Sequence, residues 1–106
     1  GMSGALHARS AFDGTGSTPL SAEANGLNVT DVTKNGTGDH TINFTYDMAH
    51  SNYSVHGMAV DTGSDLNSAI AFQSSSARSV SSVRVVNVDR SGALRDSALI
   101  TVSVFG

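Results

Sequence analysis

The stretch that decides the fold is Asn35-Gly-Thr-Gly-Asp-His-Thr-Ile-Asn-Phe-Thr-Tyr-Asp-Met48, "NGTGDHTINFTYDM". It begins as a glycine-rich turn and continues with His40, Ile42, Phe44 and Tyr46 on one face of an alternating strand. Asn-Gly between two alternating segments is the strongest short-range hairpin signal, because both residues tolerate the positive φ that the strand twist favours. The sequence therefore predicts a hairpin over 28–47, with Ile42 and Phe44 in the core.

The glycine-rich turn does not fit a phosphate-binding loop. A P-loop needs a lysine directly before its Ser/Thr and a helix N-terminus aimed at the phosphate. Neither context accompanies residues 35–38 or the related stretch Gly14-Thr-Gly-Ser-Thr18. We therefore interpret the turn as a device that reverses the chain.

Working outward from the hairpin, the same alternation recurs along the chain and helical periodicity is almost absent. Strands are predicted near 6–12, 28–34, 39–47, 53–61, 68–73, 79–89 and 97–105. The strand at 53–61 carries apolar residues on both faces, which predicts a central position. The last strand is expected to bury Ala98, Ile100, Val102 and Val104. The fold class is therefore all-β, an antiparallel β-sandwich of about seven short strands.

One connection has two interpretations. Residues 17–27 form either an irregular loop or a short helix, in which Thr18 is the N-cap, Pro19 occupies the first position and Gly26 follows the end. The remaining connections contain ordinary turn residues.

The length and composition fit one domain over residues 1–106. Gly1 precedes Met2, which is the order expected of a remnant of tag cleavage. Without cysteine there is neither a disulfide framework nor a thiolate metal site. A net charge of −3 with a single lysine makes nucleic acid an improbable partner. No apolar segment approaches the roughly 20 residues of a membrane span, so membrane insertion is not expected.

One string suggests catalysis. Asp61-Thr-Gly63 follows an apolar strand, as the catalytic carboxylate of an aspartic protease does, and two copies of the chain would bring two Asp61 carboxylates together. The same tripeptide is also an ordinary turn, and the helix expected later in such a subunit is missing. The turn is the preferred interpretation, with a homodimeric aspartic protease as the alternative.

A metal or cofactor is not expected. The four histidines, His7, His40, His50 and His56, have no close ligand spacing, and Asp61 and Asp65 lack the alternating oxygen ligands of a calcium loop. Three connecting loops, around 50–53, 61–67 and 74–78, are the predicted surface for contacts with a partner, because side chains on loops vary over a rigid scaffold. The candidates are His50, Asn52, Tyr53, Asp61, Asp65, Asn67 and Arg78. An alternative for the first loop is that Tyr46 and Tyr53 pack against each other across the hairpin.

Three strings, "ARSAFDGTGS" (8–17), "NVTDVTKNGTGDHTINFTYDMAHSNYSV" (28–55) and "SALITVSVFG" (97–106), resemble in order a domain at the ends of bacteriophage and prophage tail-fibre and related virion proteins. The chain departs from the family pattern in having Arg9 for Trp, Asp13 for Asn, His40 for Tyr and Ala49 for Pro. These changes keep the turns and alter possible contacts between subunits.

The resemblance implies a non-enzymatic phage virion module located in the virion, most simply a distal tail-fibre domain for self-assembly and host attachment. It implies a homo-oligomer, with a trimer favoured, and a host-surface glycan or protein as the further partner. It brings no catalytic residues and no cofactor. A capsid or baseplate decoration domain without a ligand is a third alternative.

Overall fold

The computed structural model describes residues 5–16, 20–21, 26–59, 69–72, 78–89 and 91–106. These residues contain eight strands, of which six are six residues or longer. The strands are β1 (Leu6–Phe12), β2 (Leu20–Ser21), β3 (Val29–Gly36), β4 (Asp39–Phe44), β5 (Ser54–Ala59), β6 (Ala69–Phe72), β7 (Ser82–Val88) and β8 (Ile100–Phe105). All the strand pairs are antiparallel. The predicted all-β sandwich fold class is confirmed.

Two sheets enclose the core. One has the order β1-β8-β5, and the other has the order β2-β3-β4-β7-β6. Alternate residues of each central strand point inward, so that Ile100, Val102 and Val104 of β8 are at most 1% exposed. Phe12 and Tyr53 are the largest fully buried side chains. Burial of each such apolar side chain contributes about 1.5–3 kcal/mol to folding.

The predicted hairpin forms, but its turn lies two residues later than expected. Gly36 pairs with Asp39, so Thr37 and Gly38 make the turn, and Gly38 alone of these has a positive φ, 63°. The ladder shifts register between Lys34 and Gly36, which leaves Asn35 as a bulge. The prediction that the Asn-Gly pair supplies the positive φ is therefore wrong.

Contacts made by the turn explain this correction. A Cβ at Gly38 would lie 2.7 Å from the backbone N of Arg95 and 2.8 Å from the carbonyl oxygen of Asn87, whereas one at Gly36 would meet nothing within 4 Å. Gly38 is thus the position where the backbone of a distant segment approaches too closely for a side chain.

Three further expectations need correction. β5 is an edge strand rather than a central one, because it pairs only with β8 and its outward side chains are exposed. Ala98 precedes β8 and is exposed. Leu20 and Ser21 pair with β3 as a strand, so the short-helix alternative fails at these two positions, and the rest of 17–25 lies outside the described residues.

No helix occurs among the described residues, and so none there is long and apolar enough to cross a membrane.

Candidate functional site

The outer face of the three-stranded sheet presents a continuous surface to solvent. Antiparallel pairing places three residues side by side in each row, since directly paired residues project to the same side. The middle row is His56, Ser103 and Arg9. Leu27 extends this row at the edge of β1, where its backbone N–H and carbonyl exchange 2.9 Å hydrogen bonds with Arg9.

Two other rows flank the middle one. Ser54, Phe105 and Leu6 lie on one side of it, and Met58, Thr101 and Ala11 on the other. Leu99 continues the column of β8 one step beyond Thr101. We call this surface the outer face; its residues are Leu6, Arg9, Ala11, Leu27, Ser54, His56, Met58, Leu99, Thr101, Ser103 and Phe105.

Apolar side chains are concentrated on this face. Seven large hydrophobic side chains of the described residues are exposed, and four of them, Leu6, Leu27, Met58 and Leu99, belong to the outer face. Met58 is 76% exposed, which gives it no role in the core. Several exposed apolar groups on one face mark interaction surfaces more often than single scattered ones do.

A groove of about 610 Å³ runs over β5 and β8 on this side of the protein. Its lining includes His56, Met58, Thr101 and Ser103. The ring of His56 stands edge-on to that of Phe105, with their centroids 5.5 Å apart. The groove thus combines hydrogen-bonding groups with a partly apolar floor.

A second group of polar residues is partly buried, with 17% of the Lys34 side chain and 28% of the Asp96 side chain exposed. The carboxylate of Asp96 accepts the N–H of Gly38 at 2.8 Å and the Lys34 ammonium at 2.9 Å, and Lys34 also donates to the carbonyl oxygen of Gly14 at 2.9 Å. We call Gly14, Lys34, Gly38 and Asp96 the Asp96 clamp. It joins the turn after β1, the β3–β4 turn and the connection before β8.

The ionisable groups of this region have shifted pKa values with structural causes. Burial raises the pKa of Asp96, but the hydrogen bonds from Lys34 and Gly38 outweigh it, so the pKa lies below its usual value. The pKa of Asp39 is lowered chiefly by the hydrogen bonds from the guanidinium of Arg84, at 2.7 and 2.9 Å. Asp96 and Asp39 are thus each kept ionised by an adjacent cation. They form structural ion pairs and do not act together as a general acid and base.

His40 is the most deeply buried ionisable residue of this group. It is 1% exposed, its ring centroid lies 5.0 Å from that of Phe12, and its Nε2 atom has no hydrogen-bond partner. Burial lowers the pKa of His40, and the charge of Lys34 lowers it further. His40 is therefore a neutral core residue, on the same strand face as Ile42 and Phe44.

The predicted receptor-facing loops give a mixed result. His50 and Asn52 are exposed, and the backbone N–H of Asn52 donates to Nδ1 of His50 at 3.2 Å. Arg78 is half-buried and donates to the carbonyl oxygen of Tyr53 at 3.1 Å. Asp61, Asp65 and Asn67 lie outside the described residues, as does the proposed protease carboxylate, which is the same Asp61.

The prediction that Tyr53 faces a receptor is wrong. Tyr53 is 1% exposed, its ring packs edge-on to Phe44 at 5.8 Å, and its hydroxyl donates to the carbonyl oxygens of Ser79 and Ser82 at 2.7 and 3.0 Å. Burial raises its pKa, so the hydroxyl remains a donor. Tyr46 is 76% exposed, so the alternative of a Tyr46–Tyr53 pair is also wrong.

The sequence predictions missed the outer face. Its residues do not form a short sequence motif, because each row contains residues from the beginning, the middle and the end of the chain. The available signal was the alternation of β5 and β8, which leaves His56 and Met58 opposite to Val55, and Thr101 and Ser103 opposite to Val102.

Among the described residues, no group of three or more His, Cys, Asp or Glu is arranged to hold a metal ion. Comparisons with known protein families, with curated proteins and with solved structures find no match to this chain.

Proposed function

We propose that this chain is a non-enzymatic phage virion module, most simply a distal tail-fibre domain that packs with copies of itself and attaches the particle to a host surface. The resemblance of the three strings 8–17, 28–55 and 97–106 supplies the class of protein. The single observation that carries the binding role is the outer face, which presents four large exposed apolar side chains together with the polar residues Arg9, His56 and Ser103.

The outer face suits recognition because it is separate from the residues that hold the fold together. Along β8, Ile100, Val102 and Val104 are buried, while Thr101 is exposed and Ser103 half-buried. Side chains on a paired strand are also held in a fixed array, which reduces the ordering cost of binding. The face therefore offers a rigid surface whose contact residues are free to change.

The size of the face limits what it can do alone. Its three strands and the neighbouring segment at Leu27 span about 15 Å across, and about six residues span about 20 Å along the strands, which gives a flat area of about 300 Å². A stable protein–protein interface needs about 800 Å² per partner. Attachment through this face is thus expected to be weak per copy and to gain strength from repetition on an oligomer. A trimer is the favoured arrangement.

Binding to cells tests the attachment role. The labelled domain, applied to a panel of bacterial strains and to a glycan array, is expected to bind a subset of them, and Met58→Gln, which removes the apolar contact without adding charge, is expected to weaken this binding. Tyr46→Gln is the matched control, because Tyr46 is also 76% exposed but lies off the outer face. Equal loss in both variants would remove the face from the proposal, and no binding to any surface would favour the ligand-free decoration domain.

Sedimentation equilibrium tests self-packing independently. The wild-type domain is expected to show a reversible rise in mass from about 1 to 200 μM, the range of weak association. A monomer at every concentration would refute self-packing by the domain and leave the attachment role to the binding assay.

A further inference from the structure

The middle row of the outer face has an unusual distribution of charge. Arg9 and His56 occupy its two sides with Ser103 between them, about 10 Å apart across two strand spacings. Neither Arg9 nor His56 has an ion-pair partner among the described residues. In contrast, Lys34, Arg84 and Arg95 contact Asp96, Asp39 and Asp89, respectively.

The sign of this charge is opposite to that of the chain, whose net charge is −3. The described part of the outer face contains no carboxylate. The nearest along β1 is Asp13, roughly 13 Å from Arg9, and it already accepts hydrogen bonds from the N–H and hydroxyl of Thr15 at 2.8 and 2.6 Å. An acidic protein that leaves an exposed arginine unpaired beside a groove presents a local site for an anion.

The groove also limits the kind of anionic ligand. It is shallow and open, so it cannot enclose most of an apolar small molecule, as ligand cavities do. Its polar groups are the hydroxyls of Thr101 and Ser103 and the imidazole of His56, which exchange hydrogen bonds with hydroxyl groups in either direction. Met58 supplies an apolar surface against which the C–H face of a sugar ring can pack.

A second copy of the chain fits less well. A second outer face offers no described carboxylate to balance the guanidinium of Arg9. The footprint of about 300 Å² is also less than half of what each partner of a stable dimer contributes.

We propose that the outer face binds a carboxylate-bearing saccharide, with the guanidinium of Arg9 on the carboxylate and with His56, Thr101 and Ser103 on the sugar hydroxyls. The planar guanidinium suits this role because its N–H groups match the two oxygens of a carboxylate. This inference rests on the proposed attachment function and names its class of ligand.

The test is an NMR titration of the ¹⁵N-labelled domain with trigalacturonic acid and, separately, with its fully methyl-esterified form. The two probes share their hydroxyl groups and differ in charge. We expect the acid to shift the amide signals of β5 and β8 in a saturable way, and the ester to bind at least tenfold more weakly, since a hydrogen bond to a charged group contributes about 1.5–3 kcal/mol.

Arg9→Gln is expected to weaken binding of the acid by at least about tenfold. Arg95→Gln is the control for net charge, because it removes the same charge next to the β3–β4 turn, where the backbone of Arg95 meets Gly38. We expect it to change the affinity less than about twofold. His56→Gln should weaken binding less than Arg9→Gln does.

The outcomes separate the inference from the proposed function. Equal binding of acid and ester, or equal effects of Arg9→Gln and Arg95→Gln, would overturn the acidic ligand while leaving the face as a binding surface. Binding of neither probe, together with binding to bacterial cells that Arg9→Gln leaves intact, would also overturn it. Concentration-dependent shifts of β5 and β8 without any ligand would identify a second copy as the occupant and refute the inference.

Discussion

Replacing single glycines by alanine tests where the chain reverses between β3 and β4. Gly38 and Gly92 both have a positive φ, 63° and 86°, and an alanine in this left-handed region costs about 1–2 kcal/mol. A Cβ at Gly92 would meet nothing within 4 Å, so Gly92→Ala is expected to cost only this conformational term. Gly36 has the same open surroundings without a positive φ, so Gly36→Ala is expected to be neutral or stabilising by up to about 0.5 kcal/mol.

Gly38→Ala is expected to cost much more than either control. Its Cβ would overlap backbone atoms of Arg95 at 2.7 Å and of Asn87 at 2.8 Å, which cannot swing away as a side chain does. Overpacking typically costs about 1–3 kcal/mol beyond the conformational term. A shift of the turn would also weaken the 2.8 Å bonds from Gly38 to Asp96 and from Asn87 to Gly38. The conformational and overpacking costs add to about 2–5 kcal/mol before any loss of hydrogen bonding, which is a large part of the 5–15 kcal/mol stability of a typical domain.

Urea unfolding followed by far-UV circular dichroism measures these differences at constant m-value. The expected order of destabilisation is Gly38→Ala, then Gly92→Ala, then Gly36→Ala. If Gly36→Ala were more damaging than Gly38→Ala, the turn would be centred on Asn-Gly as the sequence alone suggests. A cost at Gly38 equal to that at Gly92 would show that the backbone of Arg95 does not approach the turn.

Three further predictions concern buried polar groups. Burial lowers the pKa of His40, so the unfolded chain takes up a proton at a higher pH than the folded chain does. The free energy of unfolding should therefore fall as the pH drops below about 6.5, by at most about 1.4 kcal/mol per pH unit. His40→Phe should flatten this slope when urea unfolding is measured from pH 8 to pH 5. Asp96→Asn should lower the free energy of unfolding by about 1–3 kcal/mol at pH 7. Because the lowered pKa of Asp96 means that its ionised form stabilises the fold, the variant should also lose less stability below about pH 4 than the wild type does. An unchanged loss of stability at low pH would contradict this role. Tyr53→Phe should lower the unfolding free energy by about 1–2 kcal/mol, because the hydrogen bonds of the hydroxyl are lost. Attachment to cells should not change. A folded variant that no longer attaches would show that Tyr53 is a contact residue after all.

Local patterns in the sequence sufficed for most of the strands, though not for β2 or for the edge position of β5. Alternation placed β1 at 6–12 as observed, and it predicted the β3–β4 hairpin with Ile42 and Phe44 inside. These features depend on neighbours within a few residues, where period and turn chemistry act. The burial of Val102 and Val104 followed in the same way from the alternation of the last strand.

Features set by distant contacts were missed. The turn is centred on Gly38 because a segment more than fifty residues later approaches its backbone, and no local signal distinguishes Gly38 from Gly36. Tyr53 lies beside Asn52 and Ser54 in a polar loop, yet carbonyl oxygens of Ser79 and Ser82 satisfy its hydroxyl inside the protein. An aromatic residue in polar surroundings therefore does not indicate exposure until its hydrogen-bond partner is known.

Cationic side chains at different places in the fold have different roles, one in stability and one in binding. In the Asp96 clamp, the ammonium of Lys34 donates hydrogen bonds to Asp96 and to the carbonyl oxygen of Gly14, so its charge helps to hold three connections together. On the outer face, Arg9 is held by backbone pairing with Ser103 on one side and Leu27 on the other, while its side chain is exposed. The backbone thus fixes the position of Arg9, while the N–H groups of its guanidinium remain available to a ligand. A substitution there should change what the surface binds and leave the buried residues on either side of it, Ala8 and Ser10, as they are.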